Sequence, residues 1–326
     1  MKTKSALESM TVKIMEEVQN EKPEVFVVGG FIRDRVLGRE TTDIDFVVDK
    51  NTSAFAKKIS QQICGRMVKL DEMNKIYRVI AGGYNLDFSQ MQGKDIIQDL
   101  SRRDFTINAV AMKLESLSLL TASLRGSEAT EAISFFNKIE ARLRQDFGGR
   151  ASPFFDPFGG LKDIKRKIIH SISEKNFVDD PLRLLRAFRF SAQLGFKIDR
   201  KTLSQIKKYS QKILSSSQER IHDELVKIFA SERTFETIEE MEKNGLLEVI
   251  FPEVRIMRKS ARKYYYHPKG LLQHSFETLK MAEEVIKNPG KFFRETKKKV
   301  RDYISGREWL IKFICLFHDV AKPQTV

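Results

Sequence analysis

The sequence predicts an α+β fold, in which a small α/β head precedes an all-helical neck and body. Helical and strand-like patterns alternate up to about residue 113, and nearly every segment after about residue 161 has helical periodicity. With 326 residues, the chain exceeds the usual size of one domain. We expect a head at 1–170 with an insertion at 115–150, a helical neck at 171–255, and a further helical domain at 256–326.

The elements of the head follow from local patterns. Apolar residues at helical spacing predict a helix at 5–19, which Pro23 ends. VFVV at 25–28 predicts a buried strand, and DIDFVV at 43–48 predicts a second one. A helix around 53–64 follows, and then come the strand-like segments YRVIAG and YNLDF.

The body is predicted to be helical from three amphipathic runs: LRLLRAFRFSAQLG, TLSQIKKYSQKIL and ERIHDELVKIFAS. Gly195 and Gly245 lie where helix C-caps are expected. Residues 115–150 are rich in Ser, Gly and mixed charge, and their structure is left open by the sequence.

Charge and hydropathy limit the function classes. The net charge of +14, from 58 Lys and Arg against 44 Asp and Glu, indicates a polyanionic partner such as nucleic acid or an acidic membrane face. No apolar run approaches the roughly 18 residues that a membrane span needs, and the N-terminus lacks a signal-peptide core. We expect a cytoplasmic protein with no membrane partner. Cys64 and Cys315 fit no zinc spacing and predict two buried, unpaired thiols.

The Asp-x-Asp of DIDFVV is the first candidate site. Residues two apart in a strand share a face, so Asp43 and Asp45 lie side by side while Ile44 and Phe46 face the core. Two adjacent carboxylates repel each other unless a cation lies between them, and Mg²⁺ prefers such oxygen ligands together with substrate phosphates. Asp87 in NLDF would complete a catalytic triad of carboxylates. A lone Asp-x-Asp is also typical of a solvated strand edge or a turn.

A glycine pair follows the first strand. Gly29 and Gly30 allow a tight turn and a close approach of the backbone to phosphate, and Arg33 lies one helical turn further on. A glycine pair alone more often only terminates a strand.

These features occur together with further blocks in order: DLSRRDFTINAVAM at 99–112, DPFGGLKDI at 156–164, DDPLRLLRAFRFSAQLGF at 179–196 and ERIHDELVKIF at 219–229. Together they resemble the bacterial class of tRNA nucleotidyltransferases and poly(A) polymerases, within the superfamily of DNA polymerase beta. The resemblance spans roughly residues 24–255. It implies a nucleotidyltransferase head, Mg²⁺ at Asp43 and Asp45, and a nucleotide contact at Arg103, with Asp104, Thr106 and Asn108 bracing the site.

The helix block carries a polar strip. Asp180, Arg183, Arg186 and Arg189 recur every three residues, and the positions between them are apolar. By resemblance, Asp180 and Arg183 present donors and acceptors to the base edge of incoming CTP or ATP, and Arg186 and Arg189 hold phosphates or position that template. Without the resemblance, the strip is a solvated basic face.

The resemblance implies addition of CMP, with or without AMP, to the tRNA 3′ end with release of pyrophosphate. Relatives that add A usually have a flexible loop before the RRDFT block, whereas here only SQMQGKDIIQDLS separates Phe88 from Arg102. This favours CC addition, with Lys and Arg of the body binding the tRNA acceptor arm. The alternatives are a poly(A) polymerase of the same family, and an RNA-binding HD-type phosphohydrolase with an inactive head.

The C-terminal part resembles the start of an HD-type domain, through HPKGLLQHSFETLKMAEEV and FICLFHDVAKP. The resemblance makes His267, His274, His318 and Asp319 candidate metal ligands. The chain ends seven residues after Asp319, before a later Asp that such domains use. We therefore expect a truncated HD-type domain that serves as a tRNA-binding tail.

Overall fold

The computed structural model of the chain describes residues 2–21, 23–116, 154–260 and 270–325. The predicted insertion at 115–150, apart from its first two residues, and His267 lie outside the described residues. The chain divides into two compact units, residues 1–166 and 167–326. The finer division of the helical part near residue 255 stays a prediction.

The first unit is built on a seven-stranded sheet with the order β3-β4-β5-β2-β1-β6-β7. Its strands are β1 Val25–Val28, β2 Asp43–Val48, β3 Arg66–Asp71, β4 Ile76–Ala81, β5 Tyr84–Gln90, β6 Ala111–Lys113 and β7 Phe154–Phe155. Its helices are α1 Lys2–Glu21, α2 Gly30–Val36, α3 Thr52–Gln62, α4 Ile96–Ser101 and α5 Gly160–Arg166. Strand β2 pairs in parallel with β5, and the other neighbouring strands pair antiparallel.

The predicted head helices and strands are confirmed, whereas β3 was not predicted. That strand buries none of its six side chains, so it lacks the apolar alternation from which a strand is recognised. The predicted burial of both thiols is wrong for Cys64, which is exposed, and Cys315 is half-buried.

The core of the sheet sets the orientation of the carboxylates. Phe46 and Phe88 are paired across β2 and β5, and their rings stack with centroids 4.9 Å apart. Phe55 of α3 packs against Phe88 at 5.8 Å. Because side chains alternate along a strand, the residues that precede Phe46 and Phe88 point to the opposite face of the sheet.

In the part of the second unit that the structure describes, the regular elements are helices and one short parallel pair of strands, β8 Ile168–Ile169 and β9 Lys197–Ile198. Its helices are α6 Glu174–Asp179, α7 Leu182–Leu194, α8 Arg200–Tyr209, α9 Gln218–Phe229, α10 Thr234–Lys243, α11 Leu246–Ile250, α12 Glu253–Lys259, α13 Leu271–Lys287, α14 Pro289–Phe292, α15 Lys297–Ile304, α16 Glu308–Phe317 and α17 Lys322–Thr325. Gly195 and Gly245 follow α7 and α10 with φ of 70° and 77°, as predicted. Among the described helices, none has the length and apolarity needed to cross a bilayer.

The predicted fold class is confirmed: a mixed-sheet head is followed by a helical body. In the body, α7 packs against α9, and the apolar face of α7 is buried. Leu184, Leu185 and Phe188 of that face have no exposed surface. The apolar positions between the arginines of the polar strip are therefore core positions, as the spacing indicates.

Candidate active site

The carboxylates of the head meet at one edge of the sheet. Parallel pairing places Asp45 opposite Asp87 and Asp43 opposite Asn85. Asn85 Nδ2 donates to Asp43 Oδ1 at 2.8 Å, which fixes the orientation of that carboxylate. Asp43 is exposed and Asp45 is half-buried, so the pair lies at the surface with one member partly withdrawn from water.

Burial and neighbouring carboxylates disfavour the charged form of Asp45. Burial raises the pKa of Asp45 above its ordinary value of 3.8, and Asp87 and Asp43 add to the rise while Arg103 opposes it. A divalent cation between the two carboxylates would reverse this effect. The donor set therefore fits Mg²⁺, which takes one or two carboxylates and completes its coordination with phosphate and water oxygens.

Asp87 differs from the other two carboxylates because an arginine holds it. Arg78 of β4 donates from Nε to Asp87 Oδ1 and from Nη2 to Oδ2, each at 2.7 Å. The pairing raises the pKa of Arg78. Asp87 thus lies where the sequence predicts, but its oxygens are directed at a guanidinium, and its role as a third catalytic carboxylate stays a prediction.

Arg78 was not among the predicted site residues, although the sequence contains a signal for it. Gly82 and Gly83 both have positive φ, as a two-residue hairpin loop requires. With that loop, β4 and β5 pair so that Arg78 lies opposite Asp87. A Gly-Gly dipeptide between two strand-like runs predicts this register.

The glycine turn brings the backbone close to the carboxylates. Gly29 has φ of 70°, and a Cβ built on it would lie 2.8 Å from Arg103 Nη1 and 3.6 Å from Asp45 Oδ2. Only glycine leaves room for this approach of Arg103 to the strand end. Arg103 also pairs with Asp99, at 3.5 Å. Gly29, Asp45 and Arg103 are therefore neighbours, and the roles expected for them and for Gly30 stay predictions.

Arg33 lies beside this group but is turned inwards. Its guanidinium is nearly buried, donating from Nη1 to Asn108 Oδ1 at 2.6 Å and from Nε and Nη2 to Asp34 at 2.9 Å. Asn108 Nδ2 in turn donates to Asp104 Oδ1 at 2.9 Å. A phosphate contact by Arg33 would have to compete with these bonds, and this role stays a prediction.

Two motif blocks brace each other beneath the site. Thr106 Oγ1 donates to Asp163 Oδ2 at 2.6 Å, which joins the RRDFT block to the DPFGGLKD block. Asp156 accepts from the backbone amides of Gly160 and Leu161 and so caps the start of α5. A Cβ on Gly160 would lie 2.1 Å from the Thr106 carbonyl oxygen, so the contact requires glycine. This arrangement agrees with the expected bracing role of the block.

In the second unit, Asp180 and Arg183 lie at the start of α7. Asp180 accepts from Arg220 Nη2 at 3.2 and 3.3 Å, and its Oδ2 lies 3.9 Å from Arg183 Nε. Arg183 Nη1 also donates to the Asn176 carbonyl oxygen at 3.1 Å. Sequence reasoning missed Arg220, because a partner 40 residues away on another helix leaves no local signal.

Further along α7, Arg189 is directed into the unit. Arg189 Nε lies 2.6 Å from Glu224 Oε2 of α9, and both side chains are largely buried. Its guanidinium also lies 4.1 Å from the ring centre of Phe190, while that of Arg186 lies 5.4 Å away. Of the two roles expected for Arg189, this pairing favours positioning over phosphate contact, and both remain predictions.

The candidate HD residues also come together. His274 of α13 and His318 after α16 approach with Nε2 atoms 3.1 Å apart, and Asp319 Oδ2 lies 3.6 and 3.3 Å from them. The ligand atoms of these three residues all lie within 4.8 Å of one another, which is compatible with one bound metal ion. Lys322 Nζ lies 2.7 Å from Asp319 and supplies positive charge where a cation would lie.

Two family models match the chain in order. The poly A polymerase head domain matches residues 25–129, and the probable RNA and SrmB-binding site of polymerase A matches residues 195–257. The first match contains the sheet edge with all three carboxylates. The chain belongs to the family of poly(A) polymerases and tRNA nucleotidyltransferases.

Relatives of the chain include tRNA nucleotidyltransferases of different specificity. A CC-adding tRNA nucleotidyltransferase from Synechocystis is 30% identical over 73% of this chain and 50% of the relative. An A-adding tRNA nucleotidyltransferase from Deinococcus radiodurans is 27% identical over 93% of this chain and 58% of the relative. The chain thus spans about half the length of such relatives.

Solved structures agree with the family assignment. A CCA-adding enzyme in complex with ATP has a TM-score of 0.62 and 27% identity, covering 90% of this chain and 60% of that one. The complex with CTP has a TM-score of 0.61 and 26% identity, covering 95% and 64%.

Proposed function

We propose that the chain is a template-independent nucleotidyltransferase that adds CMP to the 3′ end of tRNA and releases pyrophosphate. The observation that carries the proposal is the Asp43 and Asp45 pair beside the Gly29 turn, within a poly A polymerase head. In this reaction, the 3′-hydroxyl loses its proton and its oxygen attacks the α-phosphorus of CTP. The bond from that phosphorus to the bridging oxygen breaks, and pyrophosphate leaves.

Each residue of the head has a role in this proposal. Asp43 and Asp45 would hold Mg²⁺, which when bound favours ionisation of the hydroxyl and neutralises charge on the phosphates. Arg103, close over the Gly29 backbone, would donate to the triphosphate. Asn85 keeps Asp43 oriented, and Arg78 keeps Asp87 beside Asp45.

In the second unit, Asp180 and Arg183 would read the base edge of the nucleotide. Asp180 offers acceptor oxygens and Arg183 a planar set of donors, and each is half-buried and held by neighbours. Fixed donors and acceptors of this kind can select a base without a nucleic-acid template. Substitution of Asp180 or Arg183 should therefore change the choice of nucleotide more than it changes the affinity for tRNA.

The interval between the third-carboxylate strand and the RRDFT block supports CC addition over CCA addition. Strand β5 ends at Gln90, α4 spans Ile96–Ser101, and Arg102 follows directly. The short connection leaves no room for the flexible loop that the resemblance associates with A addition. CC-adding and A-adding relatives match at similar identity, so this distinction depends on the interval.

The test is extension of a tRNA that lacks its 3′ CCA, with Mg²⁺ and CTP, ATP or both, resolved at single-nucleotide resolution. Two residues added with CTP and no third with ATP are expected. A third residue would make the activity CCA addition, and long tails with ATP alone would make it poly(A) synthesis. A tRNA ending in a 3′-deoxynucleotide is the matched control, because it lacks the attacking hydroxyl.

A second candidate function is favoured by the cluster of His274, His318 and Asp319. Two imidazoles and one carboxylate suit a transition metal better than Mg²⁺. Metal-dependent hydrolysis of phosphate esters is the corresponding activity. Hydrolysis of a chromogenic phosphodiester that depends on added Mn²⁺ or Ni²⁺ and is lost in His318→Ala would support it, and equal rates in both proteins would contradict it.

A further inference from the structure

A strongly basic surface of the second unit lies outside the matched RNA-binding segment. Residues 287–307, here called the basic strip, contain eight Lys or Arg and two acidic residues, which gives +6 of the net charge of +14. The strip includes α14 and α15 and begins 30 residues after the RNA-binding match ends at residue 257. Nearly half of the excess charge is therefore concentrated in about one fifteenth of the chain.

Most cations of the strip have no ionic partner among the residues that the structure describes. Six of them form no side-chain hydrogen bond or ion pair with any other described residue: Lys287, Arg294, Lys297, Lys298, Lys299 and Arg301. All six are exposed. Charges on a helical surface are commonly paired with an opposite charge at i,i+3 or i,i+4. Because these six cations have no such partner among the described residues, they are available to an external polyanion.

Helix α15 contributes no buried side chain to the core. None of its eight residues is buried, and only Val300 and Ile304, four residues apart, are even half-buried. These two residues form the side that faces the protein, which leaves the remaining circumference to the cations. A short helix with no buried side chain gains little stability from packing, so its basic face is not a by-product of core formation.

Aromatic side chains are exposed among these cations. Phe292, Phe293 and Tyr303 are 38, 42 and 69% exposed. Lys291 Nζ lies 5.4 Å from the ring centre of Phe292, and Arg307 Cζ lies 5.2 Å from that of Tyr303. Interleaved cations and exposed rings are the combination that binds phosphates and stacks on bases in single-stranded or looped RNA.

We propose that the basic strip is a second RNA-contacting surface, which binds backbone phosphates through α15 and stacks an unpaired base on Tyr303. The inference deepens the proposed function, since its partner is the tRNA on which the head acts. RNA is favoured over an anionic membrane for two reasons. The same compact unit carries the RNA-binding match, and α15 directs its only apolar pair towards the protein.

The test compares two variants of the full chain that lose equal charge. The strip variant is K297Q/K298Q/K299Q/R301Q. The control is K50Q/K57Q/K75Q/K94Q, in which four exposed lysines of the first unit, none ion-paired with a described residue, are replaced. Affinity for tRNA lacking CCA is measured by fluorescence anisotropy from 50 to 300 mM KCl. Gln keeps helix propensity, so unfolding temperatures should match.

The strip variant should bind about tenfold or more weakly at 150 mM KCl, with the slope of log Kd against log salt reduced by about 3. The control should change the slope by less than about 1. Tyr303→Ala should weaken binding about fivefold without changing the slope, because stacking releases no counterions. Equal slopes in the strip variant and the control would overturn the proposal.

Two further measurements separate this inference from the proposed function. CMP incorporation by the strip variant should show a raised KM for tRNA and an unchanged kcat. If no version of the protein extends tRNA but the strip variant still loses salt-dependent RNA affinity, the proposed function fails and the strip assignment stands. The strip variant could instead lose binding to phosphatidylserine vesicles and keep its RNA affinity. This result would overturn the strip assignment and indicate a membrane partner.

Discussion

The carboxylate edge of the head and the histidine cluster of the helical unit are both candidate metal sites, but they are built differently. In the head, Asp43 and Asp45 are two residues apart on one strand, and parallel pairing adds Asp87. In the helical unit, His274 and His318 are 44 residues apart and meet through the packing of α13 and α16.

The two sites also differ in charge. Three carboxylates lie together in the head, where Arg78 and Arg103 offset part of the repulsion. Two imidazoles and one carboxylate form the other cluster, with Lys322 beside it. Oxygen ligands alone suit Mg²⁺, whereas mixed nitrogen and oxygen ligands suit transition metals. The difference predicts that the two candidate sites prefer different metals.

The largest expected effect is a loss of activity when the carboxylate site of the head is changed. Asp43→Asn or Asp45→Asn should lower the rate of CMP incorporation by about 10³-fold or more, because half of the Mg²⁺-binding charge is lost at the reacting phosphate. Single-turnover extension of tRNA measures this rate. His274→Ala, the matched change in the other cluster, should keep the rate within about twofold. Incorporation within tenfold of the starting rate in either Asp variant would contradict the assignment.

The second prediction tests metal preference directly. His318→Ala should weaken binding of Zn²⁺ or Mn²⁺ by about 100-fold, since it removes one of three ligands. Competition with a chromophoric chelator measures the affinity, and His222→Ala is the control because that exposed histidine lies outside the cluster. Unchanged affinity in His318→Ala would remove the cluster as a metal site.

The third prediction concerns the bracing of the head. Gly160→Ala should lower the free energy of unfolding by about 3 kcal/mol, because its Cβ would overlap the Thr106 carbonyl oxygen at 2.1 Å. Urea denaturation followed by circular dichroism measures this change. Gly290→Ala in the helical unit is the control, since its Cβ meets only Lys297 Cδ at 3.6 Å and should change stability by less than about 0.5 kcal/mol. Equal urea midpoints for the two variants would show that Gly160 does not pack closely against the Thr106 carbonyl oxygen.

The smallest effect is the pH dependence of stability that Asp45 introduces. Because its pKa is raised on folding, protonated Asp45 contributes stability that is complete below pH 3.8 and is lost as the pH rises through the raised value. Asp45→Asn should therefore unfold at a slightly higher temperature than the starting protein at pH 7 in EDTA. The difference should disappear near pH 3.5, and Mg²⁺ should stabilise only the starting protein. A lower unfolding temperature for Asp45→Asn at pH 7 would contradict this account.

Local pattern was enough to predict much of the head. The strands at 25–28 and 43–48, the glycine turn between them and the shared face of Asp43 and Asp45 all depend on residues close in the chain. The pairing of Arg78 with Asp87 could also have been predicted from the sequence, because Gly82 and Gly83 specify the hairpin loop. The polar strip on α7 followed from its apolar neighbours.

Contacts between distant segments were decided only by the tertiary structure. Arg220 pairs with Asp180 and Glu224 with Arg189 because α9 packs on α7, and the burial of Arg33 depends on Asn108, 75 residues away. Backbone periodicity determines which side of an element a residue occupies, so the sequence alone determined the faces on which the candidate residues lie. Which side chain lies opposite each face depends on packing across the whole unit, so the structure alone decided which arginines point inwards and which cations stay exposed.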